Sequence, residues 1–350
     1  LKEIKSAGID LFFQGSKGSE FFQGSKGFQS SRVPPDFRIN FQGSQIKIPR
    51  TPLLRSSLFP TGNFAVERFE LNHPLVQGNK WYKLKPNIKK CLDEGKETIL
   101  SFGGAFSNHI HALAAAGYLL GIRTIGVIRG ERPLVLSFTL REAEKFGMQL
   151  HFVTRSEYRR RYSPDYIVEL QRLFGDFYAV PEGGSNYLGF YGAGEMLPQD
   201  AADFSHIVTA TGSGGTVGGI LLAADKMGLN GLQVLSVPVL KDFGYVMDSV
   251  KNFLENENSA GIKRLKVIED YHFGGYAKFK PELLNFISEF QNIYPIKIDP
   301  VYTGKVFFAV SELSRKGYFN ESDRVLVCHT GGLQGKVGFL ERFPEYSFIS

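Results

Sequence analysis

Thr209-Ala210-Thr211-Gly212-Ser213-Gly214-Gly215-Thr216-Val217-Gly218-Gly219 is the stretch from which the fold is read. A short apolar, β-branched run over 205–211 leads into it, and a helical pattern over 216–227 leads out. The same strand–loop–helix unit recurs on both sides. Upstream, strands are predicted over 63–71, 98–102, 123–128, 149–153 and 177–180, with helices over 86–95, 108–120, 136–146 and 164–174. Downstream, strands are predicted over 232–239, 263–268 and 324–328, with helices over 245–255, 281–293 and 305–316. Short apolar strands alternating with helices make an α/β fold whose parallel sheets are covered on both faces. The two series predict two open, twisted, mainly parallel sheets, with the active site in the cleft between two domains.

The 350 residues are 43% hydrophobic and 22% charged, enough to bury a large core. A large domain is expected at 47–83 with 194–350, and a small α/β domain at 84–193. Residues 1–46 are set apart as an irregular tail. Phe-Gln-Gly-Ser occurs there three times, at 13–16, 22–25 and 41–44, and resembles the remnant of a tag-cleavage site. The formal charge of +6 is spread without long basic blocks. That suits a small anionic ligand and does not call for nucleic acid. Cys91 and Cys328 form no CxxC, so a reducing, cytoplasmic setting is expected. No run of about eighteen apolar residues marks a membrane span, and no apolar stretch at the start reads as a secretory signal.

Several loops could carry chemistry. In 209–219, glycines permit close backbone approach, hydroxyls donate, and the N–H groups of a helix start attract an anion. The loop lacks the third Gly of GxGxxG and the Gly-Lys-Ser/Thr of a triphosphate loop, so it reads either as a phosphate-monoester cradle or as a plain tight turn. Ser101-Phe102-Gly103-Gly104-Ala105-Phe106-Ser107-Asn108-His109 also follows a strand and opens a helix, and either binds an anion or simply caps that helix. His109 and His111 stand two apart on different helix faces, so no metal is expected. Gly78-Asn79-Lys80-Trp81-Tyr82-Lys83 is a Gly-led turn with two lysines. A lysine there is either a solvated surface group or an amine poised to form a Schiff base with a carbonyl compound. A lysine, a phosphate cradle, an anion site and neutral hydroxyls together make the set that pyridoxal 5'-phosphate needs.

These motifs, with Pro181-Glu182-Gly183-Gly184-Ser185-Asn186, Asp299-Pro300-Val301-Tyr302-Thr303-Gly304-Lys305 and His329-Thr330-Gly331-Gly332, resemble one known family. It unites 1-aminocyclopropane-1-carboxylate (ACC) deaminase with D-cysteine desulfhydrase, fold-type II pyridoxal-phosphate enzymes of the tryptophan synthase β superfamily. The resemblance runs from about Thr51 to the C-terminus. It implies that Lys80 joins the cofactor's aldehyde and later moves protons, and that Lys83 lies near the phosphate. It implies that Thr211, Gly212, Ser213, Gly214, Gly215 and Thr216 cradle the phosphate. Ser107, Asn108 and His109 would hold the substrate carboxylate, with Asn108 also near the cofactor's ring oxygen. Tyr276 and Tyr302 match the family's two active-site tyrosines. A small amino-acid substrate and a homodimer are implied as partners.

The family's two branches differ at the pyridine nitrogen. The deaminase branch has a glutamate directly after the second tyrosine, where this chain has Thr303. The desulfhydrase branch has threonine there and a second threonine near the nitrogen, which is Thr330 here. A neutral hydroxyl holds the nitrogen's proton less well than a carboxylate. The resemblance therefore implies D-cysteine desulfhydrase-like α,β-elimination to pyruvate, ammonia and hydrogen sulfide. ACC deamination to 2-oxobutyrate and ammonia is the alternative. A β-replacement synthase, a serine/threonine dehydratase and a non-catalytic phosphate-binding protein also stay open.

Overall fold

The computed structural model describes residues 48–350. The expected tail over 1–46 lies outside them. In chain order the elements are β1 (Arg50–Leu53), β2 (Asn63–Glu67), α1 (Asn79–Asp93), β3 (Thr98–Gly103), α2 (Asn108–Leu120), β4 (Arg123–Arg129), α3 (Phe138–Lys145), β5 (Gln149–Val153), α4 (Arg155–Arg159), α5 (Pro164–Phe174), β6 (Tyr178–Val180) and α6 (Tyr187–Gly194). There follow β7 (His206–Thr211), α7 (Gly215–Lys226), β8 (Gln233–Pro238), α8 (Gly244–Asn256), β9 (Leu265–Val267), α9 (Pro281–Ile293), α10 (Thr303–Arg315), β10 (Arg324–Cys328) and α11 (Leu333–Arg342).

The chain divides into two compact units. One comprises residues 48–82 with Phe190–Ser350, and the other Lys83–Gly189. Helices α1 and α6 run across the two points of division. In the first unit the strand order is β1-β2-β10-β7-β8-β9, parallel except for β1 against β2. Strand β1 carries Pro52 and is an edge strand, where a missing N–H is tolerated. In the second unit the order is β5-β4-β3-β6, parallel throughout. The predicted pair of mainly parallel sheets with helices is the fold observed.

Burial explains why these strands form. All six residues of β3 are buried, as expected of an interior strand covered on both faces. Its Leu100 and Phe102 pack with Ile125, Val127, Leu170 and Phe177. In the other unit Val208, Leu235, Val237, Val325 and Val327 pack with Phe290 and Phe307. Each such side chain contributes roughly 1.5–3 kcal/mol on burial. Helix α5 begins with Pro164 after the cap Ser163, whose hydroxyl accepts from the Tyr166 N–H, and it stops at Gly175.

Three differences from the sequence reading have physical causes. The strand expected over 63–71 ends at Glu67, because the chain turns at Arg68 into a 3₁₀ turn that buries Glu70. The helix expected at 86–95 starts seven residues earlier, at Asn79, so Pro86 lies inside it. Asn87 turns its amide onto the Lys83 carbonyl at 2.8 Å and supports the backbone beside that proline. Helix α11 was not expected, since Gly335 and Gly338 break its pattern. Among the described residues, no helix is long and apolar enough to cross a membrane.

Candidate active site

Strands β10 and β7 are neighbours, and the loops after them leave at the same edge of the sheet. After β7 comes the glycine loop. Thr211 is buried, with its Oγ1 2.6 Å from Ser236 Oγ. Gly214 has φ +82°, and a Cβ there would meet Val246 and Val250 at 2.9 Å, so only glycine serves. Gly214 is also the N-cap of α7 and makes no side-chain cap bond. The first-turn N–H groups of Gly215, Thr216 and Val217 have no intrahelical partner by construction. Gly218 and Gly219, by contrast, serve packing: a Cβ on either would strike the Phe190 ring or carbonyl.

The lysine turn is fastened to both loops. Asn79 Nδ2 donates to Thr216 Oγ1 at 2.8 Å, and Asn79 N donates to Thr330 O at 3.1 Å. Gly78 has φ +69°, and a Cβ on it would overlap that same Thr330 carbonyl. Asn72 completes the clamp, with Nδ2 donating to Gly78 O and Oδ1 accepting from Gly78 N, both at 3.0 Å. Lys80 therefore starts from a backbone pinned between the 211–216 loop and the 329–332 loop. Burial drives its pKa down to about 8, which raises the share of free amine over that of an ordinary lysine, and the residue as a whole is half-buried. A desolvated amine is what a nucleophilic lysine needs.

The tyrosines join the same group. The Tyr302 ring lies against Gly212, 3.4 Å from where a Cβ would stand. Tyr276 meets Tyr302 edge-on, with centroids 6.0 Å apart. Asp299 caps α10: its carboxylate accepts from the backbone N–H groups of Val301, Tyr302 and Thr303 at 2.7–2.9 Å. Thr303 is fully buried, donates its hydroxyl to Asp299 at 2.6 Å, and accepts from Asp299 N at 2.9 Å. Thr330 differs, since its hydroxyl takes part in none of the hydrogen bonds among the described residues. Its neighbour His329 is wholly buried, with Nε2 2.7 Å from Lys297 O and Nδ1 3.1 Å from Glu70 Oε2.

In the second unit, Ser107 ends the loop after β3 as the N-cap of α2, and Asn108 and His109 are the first two residues of that helix. Ser107 caps α2 through Ile110 N at 3.3 Å. Asn108 Oδ1 is buried and without a hydrogen-bond partner among the described residues. His109 Nε2 lies 2.8 Å from Ser101 Oγ, which itself donates to Val180 O, so that ring nitrogen carries the hydrogen. Lys83 is buried, with Nζ 3.3 Å from Gly183 O and 3.4 Å from Ser185 Oγ. Its amine addresses the 181–186 loop.

The sequence pattern that defines the family described as "Pyridoxal-phosphate dependent enzyme" matches residues 46–331. The chain belongs to that family. It is a pyridoxal-phosphate-dependent enzyme, with relatives of the ACC deaminase and D-cysteine desulfhydrase type. A Pyrococcus horikoshii protein named "Putative 1-aminocyclopropane-1-carboxylate deaminase" is 31% identical over 279 residues, 77% of this chain and 84% of the relative. The Arabidopsis thaliana protein named bifunctional D-cysteine desulfhydrase/1-aminocyclopropane-1-carboxylate deaminase is 29% identical over 310 residues, 81% of this chain and 77% of the relative. The crystal structure of an ACC deaminase homologue superposes with a TM-score of 0.72 at 24% identity, covering 90% of this chain and 100% of that one. That likeness bears on the fold.

The residues of the first unit fit pyridoxal phosphate. A left-handed glycine at an uncapped helix start leaves N–H groups for the phosphate. The desolvated Lys80 amine, two residues past the clamp on Gly78, suits the aldehyde. Sequence reasoning assigned no task to Asn72, Asn79, Glu70 or Lys305, all of which hold site loops. Asn79 and Lys305 lay inside quoted motifs, but Asn72 and Glu70 carry no local signal, because their partners are fixed by tertiary contact.

Proposed function

We propose that this enzyme performs α,β-elimination on a small amino acid bearing a β-leaving group, D-cysteine foremost, giving pyruvate, ammonia and hydrogen sulfide. The observation that carries this reading is the contrast between two threonines. Thr303 stands directly after Tyr302, where the deaminase branch has a carboxylate, and its hydroxyl is spent on Asp299. Thr330 keeps its hydroxyl uncommitted and is the proposed partner of the ring nitrogen. A neutral partner makes a weaker electron sink, adequate for expelling a good leaving group and poor for opening a cyclopropane.

Pyridoxal phosphate, when bound, supplies the sink that stabilises negative charge on the α-carbon. The chain does the rest. The backbone of 211–216 grips the phosphate, and Ser107 and Asn108 are proposed for the substrate carboxylate. Lys80, as free amine, takes the α-proton, and its lowered pKa of about 8 makes that form more abundant near neutrality than in an ordinary lysine, although the ammonium still predominates at pH 7. The carbon–sulfur bond breaks with its electron pair on sulfur, and Lys80 can return a proton to the departing hydrosulfide. The released aminoacrylate adds water and yields pyruvate and ammonia, so cysteine plus water balances the three products.

ACC deamination is the second reading, supported by the similarity to the Pyrococcus horikoshii protein named a putative ACC deaminase. Incubation of the purified holoenzyme with D-cysteine, L-cysteine and ACC separates the two. Sulfide and pyruvate from D-cysteine are expected. Only 2-oxobutyrate from ACC would replace this reading with the second.

A further inference from the structure

Among the described residues, Lys305 is the most completely buried lysine outside the proposed chemistry, with no exposed surface. It sits in the first turn of α10, three residues after Tyr302. Its Nζ donates to two backbone carbonyls, His272 O and Gly275 O, each at 2.8 Å. Those carbonyls belong to the segment that carries Tyr276. That segment is conformationally unusual: Phe273 (φ +55°), Gly274 (+94°), Gly275 (+120°) and Ala277 (+54°) all lie in the left-handed region. Two of the four have side chains, a costly arrangement that persists only where the surroundings enforce it. Within the segment, Gly274 N donates to His272 Nδ1 at 2.9 Å and Gly275 N to His272 O at 3.0 Å. Phe273 packs on Phe308 of α10 at 5.1 Å. Lys305 thus adds a polar tie to the same helix that supports Tyr302.

We infer that Lys305 is a positioning residue, which acts through Tyr276 by holding the 272–277 segment in its left-handed conformation against α10. The inference rests on the reading of Tyr276 and Tyr302 as residues of the active site. The chemistry of the tie is suitable. Burial lowers the Lys305 pKa to about 8, partly opposed by Asp299, so the amine keeps most of its charge at neutral pH. A charged donor to two carbonyls makes stronger bonds than a neutral one. A plain solubility role is excluded by its burial. A purely packing role would be served as well by an unbranched apolar side chain, which is the basis of the test.

The experiment is a double-mutant cycle on the holoenzyme with Lys305→Met and Tyr276→Phe, reading kcat and KM for the amino acid turned over fastest. If Lys305 works through Tyr276, each single variant lowers kcat/KM about tenfold or more, and the double variant is no worse than the poorer single one. Hydrogen exchange of segment 272–278 is read alongside, and Lys305→Met is expected to speed it while leaving that of α7 unchanged. Fully additive losses, or wild-type turnover and exchange in Lys305→Met, overturn the inference and leave the parent reading intact. Full activity in Tyr276→Phe fails the parent reading, and the inference with it. If Lys305→Met does not fold, exchange in the wild-type holoenzyme decides: 272–278 should be protected to a degree near that of α10, and an unprotected segment overturns the inference.

Discussion

The Asn79 side chain donates to the Thr216 hydroxyl at 2.8 Å, across 137 positions of sequence. One end of that bond belongs to the residue before Lys80, and the other to the proposed phosphate cradle. The bond ties the backbone beside Lys80 to the loop proposed for the phosphate, and on that reading it helps set the spacing between the amine and the anion site.

Asn79→Ala removes this bond without leaving a charge behind. A neutral hydrogen bond contributes about 0.5–1.5 kcal/mol, so cofactor affinity should weaken by roughly 2- to 12-fold. Titration of apoenzyme with pyridoxal phosphate, followed by visible absorption, measures it. Unchanged affinity would mean that the tie between the two loops is not what sets the spacing.

Gly78→Ala places a Cβ at φ +69° against the Thr330 carbonyl. Backbone strain of this kind costs about 1–3 kcal/mol before the overlap is counted. The thermal midpoint should fall by several degrees and turnover should fall with it, because Thr330 and Lys80 move together. A variant with wild-type melting and activity would contradict the close approach described.

The lowered pKa of Lys80 gives a pH signature in the apoenzyme. Below pH 8 folded and unfolded chains both hold the proton, and folding bears the whole cost of burying the charge. Between about 8 and 10.5 the unfolded chain still holds the proton while the folded one has lost it, so this cost shrinks as pH rises. Lys80→Met should therefore be more stable than wild type at pH 7, with the difference fading toward pH 10. Denaturant melts of both proteins across this range test it, and a constant difference would show that residue 80 is not desolvated. In the holoenzyme, the same amine predicts a rate that climbs with pH toward about 8.

The two threonines should separate into stability and activity. Thr303→Val breaks the bonds to Asp299 at the start of α10 and should cost about 1–3 kcal/mol in chemical denaturation, since a buried carboxylate loses a donor. Thr330→Val leaves those bonds intact and should lower kcat while leaving the melting midpoint within about 2 °C, the shift expected for less than about 1 kcal/mol. The opposite pattern, activity lost at Thr303 and stability lost at Thr330, would remove the basis for the proposed choice of reaction.

Much of this was legible in the chain itself. Periodicity placed α5 and β5 at their observed ends, because Ser163-Pro164 and Gly175 mark their own helix and the polar–apolar alternation from Gln149 to Phe152 its own strand. The cradle was legible for the same reason: glycines and hydroxyls between a strand and a helix act through the local backbone. Where reading failed, a distant partner decided. Pro86 sits inside α1 because tertiary packing carries the helix back to Asn79, and 68–71 leaves the strand pattern to bury Glu70 beside His329.

The sequence alone determined the alternation of strands and helices, the family, and the residue types offered to the cofactor, since each depends on neighbours a few positions away. Tertiary structure decided which of those residues remain available. Thr303 and Thr330 are the same side chain, yet one is consumed by Asp299 and the other is not. Lys305 and Lys80 are both desolvated, yet one is tied to two carbonyls. Burial and hydrogen-bond occupancy are properties of the space around a group, and that space is filled by residues far away in the chain.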